Sequence, residues 1–200
     1  AAPRCVVLPR ARPAPLAAYL AAVRERSGWL IIDDTQALGI LGEEPGSDAP
    51  YGRGGRGSLA NAALTGPNLL VVASLAKGFG APIAVLAGSE DTIRAFAARS
   101  ETRVHASPPS AAAIHAAGRA LAVNHLHGDA LRLRLWQLVQ HFRDGLGHAG
   151  YAVDGGNFPV LALALPLGRD PVDVHRRLRD QGVATVVRAD HDGSGRRISF

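Results

Sequence analysis

Two short apolar runs, Trp29-Leu-Ile-Ile-Asp33 and Leu69-Leu-Val-Val-Ala73, constrain the fold more than any other feature of the chain. Each is too short for a typical helix and almost wholly apolar, so each reads as a strand buried on both faces. Between Pro13 and Arg26, Leu16, Tyr19, Leu20 and Val23 recur at helical spacing. Arg24 and Arg26 stand in the last turn, with Gly28 just beyond. Ahead of that helix, Cys5-Val-Val-Leu-Pro9 is another short strand. Strand, helix and strand with short joints form a right-handed crossover, so the sheet is expected to be parallel. In such sheets ligands collect at the carboxyl ends of the strands. Asp33 ends one run, and Lys77 stands just past the other in Ser74-Leu-Ala-Lys77-Gly-Phe-Gly80.

Lysine is seldom buried without a reason. This one is expected at the mouth of a core strand, walled by Leu75 and Phe79, with Gly78 and Gly80 freeing the backbone around it. A desolvated amine is a nucleophile suited to a Schiff base with a carbonyl cofactor. A lysine that merely snorkels from a strand end fits the same residues, and both readings stay open at this point.

The rest of the chain supports a layered α/β architecture. Residues 39–66, rich in glycine and proline and including Gly52-Arg-Gly-Gly-Arg-Gly57, read as a long surface loop with one helical turn near 59–64. They fit neither phosphate-loop nor dinucleotide spacing. Pro82 to Ala87 is a further strand. Ser89 caps a helix with Glu90 and Asp91 in its first turn and Ile93, Phe96 and Ala97 inward. Ser110 to Val123 and Asp129 to His148 read as two helices, the second striped by Leu131, Leu135, Leu138, Val139, Phe142 and Leu146. Beyond them, Val160 to Leu165 is a strand. Asp170-Pro171-Val-Asp173 opens a helix that ends at Gln181-Gly182, Val183 to Val187 is a strand and Arg197 begins another. This alternation places a small α+β domain at 145–200 behind a larger domain at 1–144.

Composition narrows the function. The formal charge of +5 comes from scattered arginines with no aromatic-interleaved basic stripe, which argues against a nucleic-acid partner. No apolar run is long enough to span a bilayer, and no membrane association is expected. Cys5 is the only cysteine, which rules out an internal disulfide and suits a reducing cytoplasm. His125 and His127 flank Leu126 without an accompanying carboxylate or cysteine cluster, so they read as surface histidines and no metal is expected. The chain opens Ala-Ala-Pro and stops at Phe200 in mid-strand, which reads as a piece of a longer protein.

Four stretches together resemble the fold-type I pyridoxal-phosphate enzymes, and within them the α-oxoamine synthases, such as 8-amino-7-oxononanoate synthase, glycine C-acetyltransferase and 5-aminolevulinate synthase. Asp33-Asp-Thr-Gln36-Ala-Leu-Gly39-Ile-Leu-Gly42 is similar to the family's Asp-(Asp/Glu)-Ala-His…Gly…Gly. Gly55-Arg-Gly57 and Ser74-Leu-Ala-Lys77-Gly-Phe-Gly80 resemble its Gly-Arg-Gly and Ser/Thr-x-x-Lys-Gly-Phe-Gly. Arg196-Arg197-Ile-Ser199 resembles its Leu-Arg-(Leu/Ile)-Thr. The resemblance covers nearly the whole chain but only the second half of a typical member. It implies the carboxyl-terminal half of a pyridoxal-phosphate transferase large domain, with a mainly parallel sheet, followed by a truncated small domain. It also implies a homodimer that condenses an amino acid with an acyl thioester and releases carbon dioxide. Lys77 would hold pyridoxal phosphate and move the substrate α-proton, Asp33 would face the ring nitrogen, Ser74 the phosphate, and Arg197 the substrate carboxylate.

The departures are specific. Thr35-Gln36 stands where the family has Ala-His, so Gln36 beside the ring can donate a hydrogen bond but carries no charge, and Thr35 brings bulk and a hydroxyl. Pro9 to Pro15 replaces the family's stretch ahead of the first helix, and Arg188-Ala-Asp-His191 replaces an Arg-Pro-Pro turn. The phosphate-gripping half is absent, so the isolated chain is expected to bind the cofactor weakly or not at all. Transamination on the same fold, or a truncated non-catalytic relative, are the alternative readings.

Overall fold

The computed structural model describes residues 14–154, 156–166, 168–189 and 195–200. The expected strand at Cys5–Pro9, with Asp190 and His191 of the altered turn, lies outside the described residues. In chain order the elements are α1 (Leu16–Arg24), β1 (Leu30–Asp33), α2 (Ser58–Asn61), β2 (Leu69–Ser74), α3 (Leu75–Gly78), β3 (Ala84–Gly88), α4 (Glu90–Arg99), α5 (Glu101–Val104) and α6 (Ala111–His148). They continue with β4 (Val153–Asp154), β5 (Ala162–Leu163), α7 (Pro171–Asp180), β6 (Val186–Ala189) and β7 (Arg196–Ser199). The chain divides into two units at Arg134–Leu135, inside α6, where the sequence places the boundary at 144/145.

In the unit at 15–134, β1 and β2 pair in parallel with Asp33 opposite Val72, and β2 and β3 pair antiparallel with Ser74 opposite Ala84. The first pair is parallel, as expected of the sheet. The second is antiparallel because the nine residues between β2 and β3 hold only the single turn of α3, too few for a parallel crossover. The strands are not buried on both faces. Leu69 and Ala73 on one face of β2 are 5 % and 0 % exposed, whereas Ile31 and Val72 on the opposite face are 57 % and 37 % exposed. Phe96 of α4, expected inward, is 43 % exposed.

Residues 39–66 are not a loose surface loop. Tyr51, Gly52, Gly55 and Gly57 are buried. A bridge pairs Glu43 with Arg53, Gly42 N–H donates to the Tyr51 carbonyl at 2.7 Å, and Gly57 N–H to that of Leu41 at 2.7 Å. The glycine content reflects close backbone approach. Gly57 has φ of 90°, and a Cβ there would collide with Asp34 Oδ2.

The two helices expected at 110–123 and 129–148 are one helix of 38 residues, α6, capped by Ser110 Oγ accepting from Ala113 N–H at 3.2 Å. Gly128 does not break it, since a glycine inside a helix costs only about 1 kcal/mol and neighbouring turns carry the hydrogen bonds through. Along the expected stripe Val139 is buried, but Leu131 and Leu138 stand 58 % and 49 % exposed.

The unit at 135–200 carries a four-stranded antiparallel sheet, in the order β4-β5-β7-β6. Val153, Leu163, Ile198 and Val187 form one cross-strand row, in which Ile198 is fully buried. Phe142 of α6 meets Phe200 edge-on at 5.0 Å. Asp170 caps α7 as read from sequence, accepting from Val172 N–H at 3.0 Å ahead of Pro171. β5 is shorter than the expected strand, and β6 begins at Val186 rather than Val183.

Candidate active site

The parallel register brings Asp33 and the Ser74–Gly80 turn to one edge of the three-stranded sheet. The β1–β2 ladder closes where Asp34 N–H donates to the Val72 carbonyl at 2.8 Å. From there both chains turn. Ser74 caps α3, its Oγ accepting from Ala76 N–H at 3.3 Å. A hydroxyl accepting in this way keeps its own proton to donate elsewhere. Leu75 N–H donates to the Ile83 carbonyl at 2.8 Å, and Leu75 enters a small core with Ala81, Ala117, Leu38, Phe79 and Ile83.

The turn after β1 packs directly on the lysine turn. A Cβ on Gly78 would lie 2.6 Å from the Leu38 carbonyl oxygen, so only glycine admits this approach next to Lys77. The Phe79 ring sits over Gly39. Thr35 Oγ1 accepts the Ser74 N–H at 3.0 Å, and Thr35 N–H donates to Asp33 Oδ1 at 3.0 Å. Asp33, Gln36, Ser74 and Lys77 thus belong to two interlocked turns at one sheet edge.

One expectation is corrected here. Lys77 is exposed, and Leu75 and Phe79 do not wall it, because both turn into the core beneath the turn. The α3 backbone sends neighbouring side chains to different faces, so Leu75 is 2 % exposed while Lys77 points outward. Burial by these residues therefore does not supply the desolvation that the sequence invites. Arg197 belongs to the other unit, where it pairs with the Asp154 carboxylate.

Sequence reading missed the residues that pin the loop behind the site. Asp34, 4 % exposed, accepts from Ser58 N–H at 2.9 Å and Ser58 Oγ–H at 2.5 Å. Arg132, 5 % exposed, donates to the Gly39 carbonyl at 3.1 Å, to Asn124 Oδ1 at 2.7 Å and to Asp129 Oδ1 at 2.5 Å. Asp129 Oδ1 also accepts from Gly54 N–H at 2.9 Å. The signal available in sequence was the i, i+3 spacing of Asp129 and Arg132 on a helix face. Burial pushes the Tyr51 phenol up to about 12.

The hydrogen bond from Arg132, aided by that from Gly54, holds the Asp129 carboxyl below its ordinary value of 3.8. A carboxyl lowered on folding stabilises the fold above its unfolded pKa, and that contribution is lost as pH falls through the folded value. Acid unfolding is expected to weaken the 39–57 loop first below pH 3.8. Asp129→Asn should flatten that part of the pH profile by about 1 kcal/mol or less, since the carboxylate is half exposed. Stability measured by denaturant from pH 6 downward, wild type against variant, checks this.

A family model for aminotransferase class I and II matches residues 10–198. The chain belongs to the aminotransferase class I and II family. Among curated relatives, 8-amino-7-oxononanoate synthase of Sodalis glossinidius is 30 % identical over 88 % of this chain and 42 % of its own length. That of Paraburkholderia xenovorans is 33 % identical over 65 % of this chain and 31 % of its own length. The chain therefore spans less than half the length of these family members. Serine palmitoyltransferase of Sphingomonas wittichii superposes with a TM-score of 0.76 at 17 % identity, covering 93 % of this chain and 45 % of that one. An 8-amino-7-oxononanoate synthase structure from Francisella tularensis gives 0.66 at 17 % identity over 90 % and 51 %. The family fold is that of the aminotransferases, and the resemblance read from the four motifs agrees with the relatives matched.

Proposed function

We propose that the protein is a pyridoxal-phosphate-dependent acyltransferase of the α-oxoamine synthase type, joining an amino acid to an acyl thioester with loss of carbon dioxide. The observation that carries this reading is that the adjacent parallel strands β1 and β2 run out at Asp33 and Ser74, with Lys77 in the turn that follows Ser74 and Thr35 bonded to both strand ends. An acid, an amine and a hydroxyl with a proton to donate are the donor set such a cofactor needs, and the residues present fit it. Bound there, pyridoxal phosphate supplies an electron sink for the carbanion formed at the substrate α-carbon.

The chain's own residues divide the remaining work. Lys77 Nζ holds the cofactor and carries the α-proton between substrate and product. Asp33, its carboxylate steadied by the Thr35 N–H, keeps a proton on the ring nitrogen. The Ser74 hydroxyl donates to the phosphate while its oxygen caps α3. Gln36, exposed on the turn after β1, donates a hydrogen bond beside the ring without adding charge. Arg197 offers a planar fork to the substrate carboxylate, a role in which the substrate competes with Asp154. The complete enzyme is a homodimer in this reading, and its amino acid and acyl thioester are small molecules. No helix among the described residues is long and apolar enough to cross a membrane.

Gln36 in place of histidine favours one second reading, transamination on the same fold, because that position tunes the ring. Full-length protein incubated with pyridoxal phosphate, an acyl thioester and candidate amino acids separates the two. Release of free thiol together with carbon dioxide is the expected result. Keto acid without thiol would shift the assignment to transamination. Neither product, with no cofactor attached to Lys77, would make the protein a non-catalytic relative.

A further inference from the structure

Where the family motif carries alanine, this chain carries Thr35, and the structure gives its hydroxyl a defined contact. The β1–β2 register ends at Asp33 opposite Val72, and the last backbone bond between the two strands is the one from the Asp34 N–H to the Val72 carbonyl. Thr35 adds one, accepting the Ser74 N–H on Oγ1 at 3.0 Å, while its backbone N–H donates to Asp33 Oδ1 at 3.0 Å. An alanine could supply the second of these bonds but not the first. The residue is part-buried, so water competes poorly for the Ser74 amide.

We propose that Thr35 is a positioning residue that couples the two halves of the cofactor site, fixing the Ser74 hydroxyl on β2 relative to the Asp33 carboxylate on β1. The inference rests on the cofactor reading above. Thr35 acts through the two residues it bonds, Asp33 and Ser74. It sets the distance between the group that faces the ring nitrogen and the group that faces the phosphate, a distance the rigid cofactor must match. The hydroxyl thus gives this chain a side-chain tie that an alanine at the position cannot make.

Three variants of the full-length protein test this. Thr35→Val keeps the shape and removes the acceptor, Thr35→Ser keeps the acceptor, and Thr35→Ala serves if the valine variant does not fold. Two readouts are taken: amide hydrogen exchange at Ser74 in cofactor-free protein, and the pyridoxal phosphate concentration giving half-maximal borohydride-trapped adduct on Lys77 by mass spectrometry. Loss of one part-buried hydrogen bond should speed Ser74 exchange and raise the half-saturating concentration each about fivefold in Thr35→Val. Thr35→Ser should restore both. Wild-type behaviour of Thr35→Val, or an equal loss in Thr35→Ser, would overturn the proposal while leaving the cofactor reading in place. A wild-type protein that traps no cofactor on Lys77 would overturn the cofactor reading and this inference with it.

Discussion

Lys77→Arg is expected to lower turnover by about a thousandfold or more while leaving the fold intact, as loss of a covalent catalyst does. Arginine keeps the positive charge but stays protonated, and its delocalised guanidinium is no substitute for an amine. The fold should survive because Lys77 is exposed, and the turn that carries it is held by other groups. Ser74 caps the turn, Leu75 fills the core, and Gly78 admits the Leu38 carbonyl. A surface exchange of this kind usually changes stability by less than ~0.5 kcal/mol. Asp33→Asn should behave differently. Its side-chain oxygen can still accept the Thr35 N–H, so cofactor still attaches to Lys77, but the ring nitrogen loses its anionic partner and the chemistry slows. Cofactor attachment by mass spectrometry and turnover under saturating substrate distinguish the two variants. Near-normal turnover in Lys77→Arg would remove the covalent role and with it the proposed function.

The parts legible in sequence were those whose signals are local. α1, α4 and α7 announce themselves through helical spacing and caps, and Ser89 and Asp170 cap as their side chains invite. Asp33 and Lys77 could be placed at strand ends because the apolar runs before them are short and end sharply. What escaped depends on distant partners. The run at Leu69–Ala73 is as apolar as a strand buried on both faces, yet Val72 is partly exposed, because coverage belongs to neighbouring elements rather than to the strand. Lys77 looked enclosed by Leu75 and Phe79 until the turn geometry sent them inward. The stretch between Val123 and Asp129 was expected to separate two helices, but one helix runs through it. The glycines at 52–57 read as part of a surface loop, yet Gly52, Gly55 and Gly57 are buried. Arg132, seventy-seven residues beyond Gly55, shows in sequence only its i, i+3 spacing to Asp129, which does not say that its guanidinium is buried against that loop.

Arg132→Met is therefore expected to cost about 3 kcal/mol, because three hydrogen bonds from a charged donor are lost together in a poorly hydrated setting. Methionine approximates the length of the arginine stem and refills some of the volume, so the cost comes from the acceptors and not from a cavity. The Gly39 carbonyl and Asn124 Oδ1 lose their donor inside the unit, whereas Asp129, half exposed, recovers much of its hydration. Asp129→Asn should consequently cost less than Arg132→Met, although the two side chains form one ion pair. The damage should also be directional. Gly39 lies against Phe79 and Leu38 against Gly78, so freeing the Gly39 carbonyl loosens the support beneath the Lys77 turn. Limited proteolysis should nick Arg132→Met between residues 39 and 57 before any other segment, and cofactor attachment at Lys77 should weaken in parallel with loop opening. A denaturation midpoint equal to wild type, with no added cleavage in that stretch, would mean that the backbone pairs at Gly42–Tyr51 and Leu41–Gly57 hold the loop unaided.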